Sequence, residues 1–205
     1  MPILKTISYQ LMKHYGNKFG KIRLVIVGLL LLGHFSSQTQ SQTPEQPSRE
    51  YQLKAIFLFN FTQFIDWPPA SFAGEEAPLI IGILGANPFG SYLEETVSGE
   101  KINGHPVTVQ YFQNEAGAKT CHILFINLPE TKKRKQAIEA VKENNILTVC
   151  EAADFSKQGG MIRLFTRNNK IKLLINLEAS KAANLVLSSK LLRLADIYKP
   201  TVTNE

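Results

Sequence analysis

The sequence predicts an α/β fold: a mostly parallel, twisted sheet flanked by helices, followed by a C-terminal antiparallel hairpin. Three observations predict it. Apolar runs at 79–84, 121–126 and 146–149 read as buried strands, with a further strand at 107–112. Segments of helical composition alternate with them, the rhythm of βαβ units with right-handed crossovers. Beyond Gly159-Gly160 the pattern becomes two short strands around Arg167-Asn168-Asn169-Lys170, a two-residue hairpin loop. Such layers are Rossmann-like or flavodoxin-like.

The 205 residues carry a net charge of +6, but the charge is unevenly placed. Residues 1–40 hold Lys5, Lys13, Lys18, Lys21 and Arg23 and no acid; the remaining eighteen bases face seventeen acids. Lys13, Lys18, Lys21 and Arg23 lead into the ten-residue apolar run 24–33, after which Ser36 and Ser37 begin a polar stretch. A basic region, a short apolar region and small residues describe a secretory signal peptide, expected over 1–37. The run is about half the ~20 residues of a spanning helix. Export argues against nuclear, ribosomal and cytoplasmic DNA roles, and so against nucleic acid as a partner. The basic run 132–135 is accordingly read as the solvated first turns of a helix.

Residues 38–49, rich in Gln, Ser, Thr and Pro, are expected to be a disordered leader, and 50–199 a single α/β domain. A helix over 51–67, ended by Pro68-Pro69, carries Tyr51, Phe57, Phe59, Phe61, Phe64 and Trp67. So apolar a helix is expected to be buried nearly all round. After the first strand, Gly85-Ala-Asn87-Pro88 opens a short helix to about Val97, with Asn87 as cap and Pro88 as first helical residue. Gly104-His105-Pro106 turns into the strand at 107–112. A helix over 130–144 buries Ala137, Ile138 and Val141. If Arg167 faces Lys170, one hairpin face holds Ile162, Leu164, Thr166, Ile171, Leu173 and Ile175. The other holds Arg163, Phe165, Arg167, Lys170 and Lys172. Helices are expected at 178–184 and 188–198.

Little in this pattern points to catalysis. His105 and His122 form no metal-ligand spacing with either cysteine, so neither a metal nor a cofactor is expected. Gly82-Ile-Leu-Gly85-Ala-Asn-Pro-Phe-Gly90 lacks dinucleotide-loop spacing, although a small anion at that helix start is conceivable. Cys121 begins one parallel strand and Cys150 ends the next, which puts them about 15 Å apart along the strands. That is beyond the roughly 7 Å that a disulfide spans, so both are expected to be unpaired. The basic hairpin face either guards an exposed strand or docks an acidic partner.

Several segments, in order, resemble the YfiR family of exported bacterial regulators: Phe61-Thr62-Gln-Phe-Ile-Asp66-Trp67-Pro68, Ile81-Gly-Ile-Leu-Gly85 with Pro88-Phe89-Gly90, Cys121-His122-Ile-Leu-Phe, Gly159-Gly160-Met161-Ile162 and Leu187-Ser188-Ser189 through Ala195. The likeness spans roughly 50–198. It implies a periplasmic α/β protein, often a homodimer, that holds a membrane-anchored diguanylate cyclase in check and is itself sequestered by an outer-membrane lipoprotein. Lower cyclic di-GMP would follow. Members with disulfides carry additional cysteines, which this chain lacks.

The sequence therefore points to a non-catalytic regulatory protein that binds a membrane-anchored signalling protein. Its expected contact residues are Phe64, Trp67 and Pro68 at the end of the first helix, and Arg163, Phe165 and Arg167 on the hairpin. The rival is a periplasmic small-ligand sensor binding at Gly85, Asn87 and Pro88, at the carboxyl ends of the strands.

Overall fold

The computed structural model describes residues 46–200. The expected signal (1–37) and most of the expected leader lie outside the described residues. The chain enters helix α1 (Arg49–Phe64) and passes through a two-residue strand β1 (Ile65–Asp66). Next come β2 (Leu79–Gly85), α2 (Tyr92–Val97), β3 (Lys101–Ile102), β4 (His105–Phe112) and β5 (Ile123–Asn127). Helix α3 (Thr131–Val141) leads to β6 (Leu147–Cys150) and the hairpin β7 (Ile162–Arg167) and β8 (Lys170–Ile175). The described chain ends with α4 (Leu177–Ala182), β9 (Val186–Leu187), α5 (Ser189–Leu192) and β10 (Asp196–Ile197).

Eight strands form one sheet in the order β10-β8-β7-β6-β5-β2-β4-β3, parallel except where β7 meets β8 and β3 meets β4. The predicted fold class is therefore observed. Alternation along the strands divides the core between two faces. Ile81, Ile83, Ile123, Phe125, Leu147 and Val149 face one way, under Ala55, Leu58 and Phe61 of α1. Ile80, Leu84, Leu124 and Ile126 face the other, under Ala137, Ile138 and Val141 of α3. The hairpin has the register read from its sequence, Arg167 opposite Lys170 and Leu164 opposite Leu173. Asn168 (φ 51°) and Asn169 (φ 57°) both take the left-handed conformation that a type I′ turn requires.

Five sequence expectations change. Helix α1 begins at Arg49, inside the expected leader, and stops at Phe64 rather than Trp67: Ile65 is extended (φ −128°, ψ 131°), and Ile65–Asp66 pairs with Val186–Leu187. Pro68 disfavours a helical Trp67 in any case. The helix is not buried all round, for Leu53 (39%) and Ile56 (37%) remain exposed. Asn87 does not cap a helix; its side chain accepts from Phe89 N at 2.9 Å, and α2 starts later, at Tyr92. The basic run is only partly solvated, because Arg134 is buried against Asp154 and the carbonyls of Leu128 and Pro129. The last expected helix is a single turn, α5, after which Asp196–Ile197 extends the sheet beside β8.

Candidate functional site

Helix α1 lies across the apolar face, opposed in direction to the parallel strands, and is fastened at both ends. Near its start, Lys54 is only 2% exposed, set among Leu53, Ala55, Ile56 and Phe57. Its ammonium binds Glu50 at 2.5 Å and Glu151, just beyond β6, and lies 4.8 Å from the centre of the Tyr51 ring. Burial opposes the charge on Lys54, but the two carboxylates outweigh it and hold its pKa above the usual range. Glu50 also accepts from Thr166 Oγ1 at 2.7 Å, tying the helix to the hairpin. A buried cation survives only with such partners.

The other end of α1 forms an aromatic corner. Trp67 Nε1 donates to the carbonyl of His122 at 3.2 Å, and the two rings meet edge-on at 6.1 Å. Phe72 is sandwiched between two imidazoles, with ring centres 3.8 Å from His105 and 4.4 Å from His122. His105 Nδ1 lies 2.7 Å from the Ala77 carbonyl, a separation that requires it to donate. His122 Nδ1 accepts from Ile80 N at 3.1 Å, which leaves the ring proton on Nε2. Burial pushes the His122 imidazole down to about 4; the Ser71 backbone opposes this and His105 adds to it. Beside this stack opens a cleft of about 230 Å³, lined by Thr62, Ile65, Asp66, Trp67, Phe72 and His105 among others.

The expected contact residues fall into two separate places. Phe64, Trp67 and Pro68 are half-buried at the aromatic corner, and of the three only Trp67 lines the cleft. Arg163, Phe165 and Arg167 lie at the opposite end of the strands, on the sheet face away from α1, because Leu164 and Leu173 point toward it. The guanidinium groups of Arg163 and Arg167 stack on Phe165, 4.2 Å and 5.4 Å from the ring centre. Arg163 Nε also donates to the Glu151 carbonyl at 3.2 Å.

At the third place, Asn87 is already committed within its own turn. Its Nδ2 donates to Gly90 O at 2.9 Å and lies 3.2 Å from Tyr111 Oη, while Oδ1 receives Phe89 N. Gly85 (φ 97°) runs so close to the next strand that a Cβ there would come within 2.3 Å of Asn127 O. Tyr51 meets the buried Phe89 edge-on at 5.9 Å, so α1 covers the chain just past Pro88. Both cysteines are free and buried. Cys121 Sγ donates to Ala118 O at 3.0 Å, and burial pushes its thiol up to about 12. Among the described residues, no group of three or more His, Cys, Asp or Glu could hold a metal ion, and no helix is long and apolar enough to cross a membrane.

Fold and surfaces together define a mostly parallel α/β domain with an aromatic corner at one end of its strands and a basic hairpin face at the other. The chain belongs to the YfiR/HmsC-like family, whose model matches residues 51–196. That is a family of periplasmic regulators associated with cyclic di-GMP signalling. No curated protein matches the chain. A crystal structure of a conserved domain protein from Vibrio cholerae O1 biovar El Tor is similar at a TM-score of 0.44 and 11% identity, over 73% of this chain. The match spans 60% of that chain's length.

Sequence reasoning missed the Phe72 sandwich and the Lys54 pin. Phe72 sits in a loop with no periodicity to mark it. A lone lysine amid Leu53, Ala55, Ile56 and Phe57 was the available signal for the pin.

Proposed function

We propose that this chain is an exported, non-catalytic regulator that acts by binding a membrane-anchored signalling protein. In its fullest form the target is a diguanylate cyclase that the protein restrains, an outer-membrane lipoprotein is the second partner, and the protein works as a homodimer. Membership of the YfiR/HmsC-like family over 51–196 is the observation that carries this reading. The reading is supported by a small cleft beside Trp67, of a size for one apolar anchor side chain of a partner, with the exposed carboxylate of Asp66 at its rim. A small-ligand sensor at Gly85, Asn87 and Pro88 is less well supported, because the polar atoms of Asn87 already hold its own turn together.

Co-purification from membranes tests the proposal. The wild-type protein should retain a membrane signalling protein that Asp66→Lys and Trp67→Ala release while both variants still fold. Cyclic di-GMP should rise in a deletion strain; an unaltered level removes the cyclase from the reading.

A further inference from the structure

The hairpin ends in a concentration of positive charge that the fold itself does not neutralise. Arg163, Arg167, Lys170 and Lys172 share one face of β7 and β8, and none of them takes part in an ion pair among the described residues. Arg167 stands directly across from Lys170, an arrangement that costs stability unless an anion lies between them. The carboxylates of Glu50 and Glu151, which are close to the hairpin through Thr166 and Arg163, are drawn to Lys54 instead. Strand pairing also leaves the hairpin edges open. β6 meets β7 only at Ile162 and Arg163, and β10 meets β8 only at Leu174 and Ile175. Residues 164–167 and 170–173 thus pair with no strand except each other.

We infer that this face docks an extended, acidic segment of a partner protein, its carboxylates set against Arg163, Arg167, Lys170 and Lys172. Two arginine forks resting on one aromatic ring are partly ordered before binding, which lowers the entropy lost when they grip carboxylates. Free strand edges offer such a segment main-chain hydrogen bonds as well. A lipid surface fits less well. Phe165, the apolar side chain at the tip of this face, lies under the two guanidinium groups and is not free to enter a bilayer. The inference rests on reading the chain as a partner-binding protein, and it names the chemistry of the bound segment.

Fluorescence anisotropy of the exported protein with a labelled peptide of alternating Glu and Thr tests it. Binding should weaken steeply with added salt and fall by about tenfold or more in Arg163→Glu/Arg167→Glu. Lys170→Gln/Lys172→Gln changes only exposed side chains and should weaken binding in the same direction, so the result does not depend on one variant folding. Equal affinity for wild type and both variants overturns the inference, as does equal binding of an alternating Lys-Thr peptide. Tighter binding to phosphatidylglycerol vesicles than to the acidic peptide overturns it in favour of a membrane surface. Peptide binding without any co-purifying membrane protein would leave the docking face standing and remove the proposed regulator role; the reverse pattern would remove the docking face alone.

Discussion

His122 shows how one buried side chain can make stability depend on pH. Its neutral form accepts the Ile80 N–H, and burial holds its pKa at about 4, below the 6.5 of a free imidazole. Because the folded value is depressed, its contribution is complete above pH 6.5 and is lost as the pH falls toward 4. A gap of that size corresponds to roughly 3 kcal/mol at most. Urea midpoints at pH 7 and pH 4.5 should therefore diverge more for wild type than for His122→Asn, which keeps an acceptor that does not titrate. Parallel slopes for the two proteins would remove His122 as the cause. The cysteines make a simpler case. With Cys121 raised to about 12 and Cys150 raised by burial, neither is a thiolate at neutral pH. Native protein should be inert to thiol reagents and yield two reactive thiols on unfolding; no thiol after unfolding without reductant would reveal a bridge.

At the scale of elements, Lys54 decides how firmly α1 is attached. Lys54→Met should cost about 2 kcal/mol by leaving Glu151 and Glu50 without their cation, and Glu151→Gln in the same chain should recover part of the loss. A denaturation series on the two single variants and the double variant measures that coupling, and additive costs would mean that the pair does not hold the helix. The elements also show what a sequence reveals. The parallel strands were legible because burial on both faces forces runs such as Leu79-Ile-Ile-Gly-Ile-Leu84. The hairpin register was legible because Asn-Asn and the alternation around it agree. Helix ends were not, since the stop at Phe64 depends on pairing with Val186–Leu187, far along the chain. Lys54 and Glu151 are 97 residues apart, and Phe72 meets its two histidines from a loop, so neither arrangement leaves a local pattern. Of the six expected contact residues, the sequence could say that they were unusual but not that they divide between opposite ends of the sheet.

For the whole molecule, the expected removal of residues 1–37 would change the charge. The 205-residue chain has a pI near 9.3, but five of its bases lie in the expected signal. Isoelectric focusing of the exported protein should place it close to neutrality, with an intact mass that begins near residue 38. A species that keeps the basic pI and starts at Met1 would show that the segment stays attached.

The direction of α1 has a practical consequence. Residue 46 leaves the sheet at the hairpin end, since α1 runs from the Glu50–Thr166 contact toward Trp67. Tyr198, bonded to Ile175 O beyond the parallel strand β10, leaves at the other end. A bulky reporter fused just before residue 46 would therefore shadow the arginines, and one fused after residue 200 would lie at the end that carries Trp67. Two otherwise identical capture experiments, differing only in which terminus bears the fusion, should lose different partners.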